Sequence, residues 1–337
     1  MTFDDLLGNA IEEHEGFPGH PGSTHPRDES GYRTAPPELR VFVGPDQPSA
    51  VIEAAERAGA LVVPAHDARI VIWTAGAVDE LRSVLHPQVS WVQLPAAGVE
   101  AWLASGLIDA TRLWTSASGA YAGPVAEHAV ALILAAAKSL PQAARRNEWE
   151  EYSVGLVAGA TVGVVGGGSI GIEIFRLLEV FNLRRIGLTR SGRKIPGADL
   201  SFPPAGLDRL LEESTYVVLA APLTAETAGI IGERQLEQIG SDGWLINVAR
   251  GGLVDTDALV SALDAGGIGG ACLDVTEPEP LPAGHPLWQF DNVVITPHVA
   301  NPWITRHDLY ARRVAENLDR FRDGRDLLGV VDLRRGY

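Results

Sequence analysis

Cysteine is almost missing from this chain: Cys272 is the single one in 337 residues. One thiol cannot close an intrachain disulfide, so the sequence fits a reducing compartment. Long apolar runs are missing too. No apolar stretch reaches the roughly 18 charge-free residues that a membrane-spanning helix needs. Positive charge is scarce: 27 Lys and Arg stand against 43 Asp and Glu, a formal net charge of −16. That deficit argues against nucleic acid, whose phosphates call for clustered cations, and against an anionic membrane surface. A small anionic substrate would need a local basic pocket within an acidic field. The opening MTFDDLLGNAIEEHEG is acidic. It lacks the basic start and apolar segment of a secretory signal, which leaves the cytoplasm as the expected location.

What is there begins with length and apolar content. At about 100–200 residues per domain, the chain predicts two domains, and its 46% apolar residues suffice for sizeable cores. Residues 1–37, with GFPGHPGSTHPRDESGYRTAPP, read as a flexible extension rich in Pro, Gly, Ser and charge. Its histidines have no Cys or paired acidic companions, so no metal site is read there. From LRVFVG onward strands and helices alternate. RIVIW, SWVQL, ATVGVV, RIGLTR, TYVVLA, GWLINV, GGACLDV and NVVITP read as strands. PSAVIEAAERAGA, VDELRSVL, SIGIEIFRLLEVF, VDTDALVSALDAG and TRHDLYARRVAENLDRFRDG read as helices. This alternation predicts an α/β fold with doubly wound, mostly parallel sheets. A long apolar helical stretch starts near residue 123, long enough to cross between domains. Pro141 predicts a break near Leu140.

The stretch VVGGGSIGIEI places Gly166, Gly168 and Gly171 in a G-x-G-x-x-G pattern, after a strand and at the opening of a helix. That is the context in which such a loop cradles a dinucleotide pyrophosphate. The first glycine serves the tight turn, the second the close approach of phosphate, and the third the packing of helix on strand. The N–H groups of Ser169, Ile170 and Gly171 at the helix start would face the anion. An Asp or Glu at the end of the next strand would select NAD through the ribose 2′-hydroxyl. Here that strand ends in Thr189, Arg190, Ser191, Gly192 and Arg193, with no carboxylate. Two guanidinium groups and two hydroxyls suit a 2′-phosphate. The expectation is therefore NADP(H) preferred, with NAD(H) as second choice.

Downstream, three strand ends carry chemistry-bearing residues: Arg250 in LINVARGGLVDTDAL, Glu277 and Glu279 in LDVTEPEPLP, and His298 in VVITPHVANP. Open α/β sheets place their ligands at such ends. The motifs QLPAAGVE, PVAEHA, VGVVGGGSIG, APLTAETAGIIG, NVARGGLVD, LDVTEPEPLP and TPHVA, in that order from about residue 39, resemble those of the D-isomer-specific 2-hydroxyacid dehydrogenases. The tail GVVDLRRGY and the missing acid after the second strand resemble the glyoxylate/hydroxypyruvate reductase branch.

The resemblance implies two Rossmann-like or flavodoxin-like domains, with the cofactor domain inserted into the substrate domain. It puts the substrate domain at residues 38–135 and 306–337 and the dinucleotide domain at 136–305. His298 becomes the general acid/base, Glu279 (ahead of Glu277) its partner, and Arg250 the substrate anchor. Asp274 becomes either a nicotinamide carboxamide contact or a strand-end cap. Pro222, Val248 and Ala249 fall on the cofactor side. The N–H groups of Ala97, Gly98 and Val99 form a substrate-carboxylate loop. Trp73 either walls the substrate pocket or packs in the core. His128 is read as structural and His285 as an exposed loop residue. Asn301 and Pro302 replace the commoner continuation after TPH, which leaves the rear of the pocket open to question.

A protonated imidazole could deliver the proton that a reduced carbonyl oxygen needs. A neighbouring carboxylate favours that charged form. The expected activity is reduction of a small 2-keto acid, such as glyoxylate or hydroxypyruvate, by a homodimer formed through the cofactor domain and the long helix. A formate dehydrogenase would carry Gln where Glu279 stands. A dinucleotide-sensing corepressor of the same fold could retain all three site residues, so turnover is what separates it from an enzyme.

Overall fold

The computed structural model describes residues 38–75 and 77–337 and shows the alternation expected from the sequence. The extension read at 1–37 lies outside the described residues. The chain forms two units, with seams after Tyr121 and Pro302. Unit 1 holds the described residues up to Tyr121 together with Trp303–Tyr337, and unit 2 is Ala122–Pro302, inserted into the chain of unit 1.

Unit 1 contains strands β1 (Arg40–Gly44), β2 (Leu61–Val62), β3 (Ile70–Trp73), β4 (Trp91–Gln93) and β5 (Leu113–Thr115). They form a parallel sheet in the order β2-β1-β3-β4-β5, the flavodoxin-like winding. All four residues of β3 are buried, which is why RIVIW reads as a continuous apolar run rather than an alternating one. The helices are α1 (Ser49–Arg57), α2 (Val78–Val84), α3 (Glu100–Ala104) and α10 (Trp303–Arg322). A buried polar clamp ties α10 to the sheet. Asn317 donates to Gln93 Oε1 at 2.8 Å and accepts from the Leu328 N–H at 2.8 Å. The Tyr310 hydroxyl donates to the carbonyls of Trp73 and Gln93 at 2.7 and 3.0 Å. Each such bond contributes only about 1 kcal/mol net, yet breaking one would strand buried groups at a larger cost.

Unit 2 starts with α4 (Ala122–Ala137) and α5 (Leu140–Arg145). The long apolar helix that the sequence suggested as a crossing between domains lies wholly inside this unit. Its break is as expected: Ser139 turns left-handed (φ 48°) and Pro141 opens the next helix, where a missing N–H costs nothing. Then follow β6 (Thr161–Val165), α6 (Ser169–Leu177), β7 (Arg184–Leu188), β8 (Leu200–Phe202), α7 (Leu207–Glu213), β9 (Tyr216–Leu219), α8 (Glu233–Ile239), β10 (Trp244–Asn247), α9 (Thr256–Asp264), β11 (Gly270–Leu273) and β12 (Val293–Ile295).

The parallel sheet of unit 2 runs β12-β11-β10-β9-β6-β7-β8. Read from β8, this is the Rossmann order, with its switch point between β6 and β9. The register aligns the carboxyl ends: Val165 of β6 lies between Leu188 of β7 and Leu219 of β9. Gly171, Ile174 and Phe175 form the buried face of α6. Each large apolar side chain so buried contributes about 1.5–3 kcal/mol. Asp255 caps α9 by accepting from the Ala258 N–H at 3.0 Å. Among the described residues, no helix is long and apolar enough to cross a membrane, and no group of three or more His, Cys, Asp or Glu is placed to hold a metal.

Candidate active site

The glycine loop leaves β6 at the switch point. Gly166 adopts φ +119°, and a Cβ there would collide with the backbone of Ala220 and Ala221; a Cβ on Gly171 would collide with the Gly166 carbonyl. The sequence has no alternative to glycine at either position. Gly168 differs, because a Cβ there would meet nothing within 4 Å. Gly168 is also the N-cap of α6, and no side chain caps that helix. The first-turn N–H groups of Ser169, Ile170 and Gly171 thus follow a residue with open space beside it, an arrangement suited to a pyrophosphate. Pro222 follows the Ala220–Ala221 backbone that Gly166 abuts, and it is exposed.

At the end of β7, Thr189 is buried, and its hydroxyl oxygen has no hydrogen-bond partner among the described residues. Arg190, Ser191 and Arg193 are exposed. Arg193 turns back to the glycine loop and donates to the Gly167 carbonyl at 3.0 Å. A guanidinium is therefore held at the edge of the loop, where a ribose phosphate would need one.

Strands β10, β11 and β12 are neighbours in the sheet, and Arg250, Glu279 and His298 follow their carboxyl ends in that order. Asn247 fixes the first turn: its amide nitrogen donates to the Arg250 carbonyl at 2.8 Å and its oxygen accepts from the Ala249 N–H at 3.1 Å. Val248 and Ala249 are buried there, and the Arg250 guanidinium donates to the Ala249 carbonyl at 2.7 Å. A Cβ on Gly251 would collide with the Thr276 carbonyl, so the loops bearing Arg250 and Glu279 meet backbone to backbone. His298 Nδ1 lies 2.7 Å from Glu279 Oε1. Glu279, not Glu277, is the partner.

Stability does not explain this pair. Its side chains are 51% and 41% exposed, and exposed ion pairs contribute about 0–1 kcal/mol. His298 has φ 53°, a left-handed conformation that costs a non-glycine residue roughly 1–2 kcal/mol. The strain is held by Asp274. Its carboxylate accepts from the Thr296 hydroxyl at 2.6 Å and from the N–H groups of Val299 and Ala300 at 3.0 and 3.1 Å. The His298 N–H donates to the carbonyls of Asp274 and Thr296.

Asp274 is buried, and the protein donors around its carboxylate are those of a strand-end cap. His285 is not a plain exposed loop residue. It is half-buried and caps a short 3₁₀ turn, its Nδ1 accepting from the Leu287 N–H at 3.3 Å. Trp73 is 1% exposed within the core of unit 1, beside Val71, Leu81 and Leu94. Thr296 was missed. Its only signal was a hydroxyl two residues before the histidine.

In unit 1, Ala97, Gly98 and Val99 leave the carboxyl end of β4 and lead into α3. Among the described residues, no acceptor meets their N–H groups. The loop is anchored by the Tyr121 hydroxyl, which donates to the Pro95 carbonyl at 2.6 Å. Burial pushes the Tyr121 phenol up to about 12, so it remains a neutral donor.

Comparison with known proteins follows the same lines. Residues 130–300 match the family described as D-isomer specific 2-hydroxyacid dehydrogenase, NAD binding domain. A glyoxylate reductase from Thermofilum pendens is 38% identical over 218 residues, covering 60% of this chain and 63% of its own length. The chain thus spans less than two thirds of that relative. The crystal structure of a D-isomer specific 2-hydroxyacid dehydrogenase from Xanthobacter autotrophicus, in complex with NADPH and MES, superposes with a TM-score of 0.77. It is 30% identical and covers 89% of this chain and 99% of that one. An NADPH-dependent glyoxylate/hydroxypyruvate reductase from Sinorhizobium meliloti, in complex with NADP and sulfate, gives a TM-score of 0.76. It is 29% identical, with 89% and 100% coverage.

Proposed function

Since the chain belongs to the D-isomer-specific 2-hydroxyacid dehydrogenase family, we propose that it reduces a small 2-keto acid of the glyoxylate or hydroxypyruvate kind to the D-2-hydroxy acid. In this reading unit 2 is the dinucleotide domain and unit 1 the substrate domain. The observation that carries it is the 2.7 Å contact of His298 Nδ1 with Glu279, which leaves Nε2 as the nitrogen for a substrate oxygen.

The nicotinamide, when bound, supplies the hydride. His298 donates a proton from Nε2 to the carbonyl oxygen as alkoxide character develops there, and Glu279 holds the imidazolium in place. Arg250 binds the substrate carboxylate through charge-assisted hydrogen bonds of about 1.5–3 kcal/mol each. In unit 1, considered by itself, the N–H groups of Ala97, Gly98 and Val99 form a loop suited to a carboxylate. Fixing carbon 2 in this way makes the transfer effectively unimolecular. Carbon 2 takes up the hydride and its oxygen the proton, so the keto acid becomes the hydroxy acid and the cofactor is oxidised.

NADP(H) is the preferred cofactor and NAD(H) the alternative. Gly166, Gly168, Ser169, Ile170 and Gly171 receive the pyrophosphate, Thr189, Arg190, Ser191 and Arg193 the ribose 2′-phosphate, and Pro222, Val248 and Ala249 line the approach. The family relation and the NADPH and NADP bound by the two structural neighbours support this choice. The protein acts in the cytoplasm as a homodimer. Supporting the dimer, Leu140, Trp149, Val154 and Leu156 next to the long helix are all at least half exposed. The test is a panel of 2-keto acids with NADPH and NADH in parallel. Turnover of glyoxylate or hydroxypyruvate with NADPH is expected, and no turnover of any small 2-keto acid would refute the reading.

A further inference from the structure

His128 lies on α4, far in sequence from the residues assigned to the chemistry. We propose that it is a positioning residue for His298, acting through a hydrogen-bond bracket of His128, Thr296 and Asp274. The claim rests on the reading of His298 as proton donor.

The donors in the bracket are fixed by counting hydrogens. The Thr296 hydroxyl has one. It lies 2.6 Å from Asp274 Oδ1 and 3.0 Å from His128 Nε2. The Asp274 carboxylate also receives the N–H groups of Val299 and Ala300, so it is an acceptor throughout, and the Thr296 hydrogen points to it. The hydroxyl oxygen then accepts from His128, which must carry its proton on Nε2. His128 Nε2 is also 3.5 Å from Asp274 Oδ1. The chain runs His128 N–H to Thr296 O–H to Asp274, and bonds in such a series strengthen one another.

The far end of this chain is the loop that presents His298. Val299 and Ala300, the two residues after His298, are held by Asp274. The His298 N–H is held by the Asp274 and Thr296 carbonyls. The Thr296 and Asp274 side chains are thus on both flanks of the one left-handed residue in the loop, whose φ of 53° an unsupported loop would relax. His128 supplies the anchoring donor from a helix with a well-buried face, Val125, Ala126, Ala129, Leu132 and Ile133. A rigid element therefore sets where the imidazole of His298 stands. Glu279 fixes its ring; the bracket fixes its backbone.

The test uses the full chain and three substitutions. His128→Leu removes the donor at similar volume, His128→Gln keeps an N–H near the Nε2 position, and Thr296→Val removes the hydroxyl in a near-isosteric side chain. Two readouts are taken: amide hydrogen exchange of Val299 and Ala300 without ligands, and steady-state kinetics with glyoxylate and NADPH. In His128→Leu and Thr296→Val, exchange at Val299 and Ala300 is expected to quicken at least tenfold, with β6 amides unchanged. In the same variants kcat falls at least fivefold while KM for NADPH stays within twofold. His128→Gln recovers both. Should His128→Leu not fold, Thr296→Val reads the same bracket. Exchange and kcat within twofold of wild type in the folded variants would overturn the proposal. So would faster exchange with unchanged kcat, and so would His128→Gln behaving like His128→Leu. If the wild type turns over no 2-keto acid, the functional reading fails while exchange still decides the bracket.

Discussion

The His298 imidazole and the Glu279 carboxylate stand 2.7 Å apart on loops that leave the adjacent strands β12 and β11. Neighbouring parallel strands bring the loops together, and the half-exposed pair is too weak to have been retained for stability. Glu279→Gln keeps an acceptor near Nδ1 but removes the charge. The loss of one charge-assisted bond, about 1.5–3 kcal/mol, is expected to lower kcat by roughly 10- to 150-fold. KM for NADPH should stay within about threefold. Steady-state kinetics of the variant provides the check.

The basic end of β7 makes a second prediction. Arg190→Ala with Arg193→Ala removes two guanidinium groups that suit a 2′-phosphate. KM for NADPH is expected to rise at least tenfold, about 1.4 kcal/mol or more, while KM for NADH changes less than threefold. A parallel rise for both cofactors would mean that the arginines hold something common to the two.

Cys272 gives a third. It is buried in β11, its thiol faces the Leu132 carbonyl at 3.8 Å, and burial pushes its pKa up to about 12. The sign is simple: below that value the thiol is protonated, and only the thiolate reacts. At pH 8 a disulfide reagent is expected to find no reactive thiol in the folded protein and one per chain after denaturation. Absorbance of the released chromophore measures it.

The dimer proposal makes a fourth. Trp149 is 102% exposed and Leu156 69% exposed in the single chain. Trp149→Asp with Leu156→Asp would put two charges into an interface between copies. Sedimentation at micromolar concentration is expected to give a dimer mass for wild type and a monomer mass for the variant. A dimer mass for both would place the contact elsewhere.

Much of this was legible because strand and helix periodicities differ. The buried run RIVIW and the loop VVGGGSIG read correctly from local pattern alone. Strands β2, β5 and β8, of two or three residues each, did not. At the site, local sequence placed Arg250, Glu279 and His298 at strand ends but left Glu277 and Glu279 to be separated by loop geometry. Asp274 and Trp73 were left with two readings and His128 was read only as structural for one reason: their partners are remote. His128 meets Thr296 168 positions away, and no spacing rule reaches that far. His285 was misread because a histidine cap looks like any loop residue until its donor, the Leu287 N–H, is seen.

The central claim is that His298 delivers the proton, and it is tested most directly by comparing wild type with His298→Ala under saturating NADPH and glyoxylate, with NADPH affinity measured by fluorescence. A general acid contributes about 10²–10⁴ in rate. The expected result is a fall in kcat of that size with NADPH affinity within threefold. A variant that keeps kcat within tenfold of wild type would contradict the account.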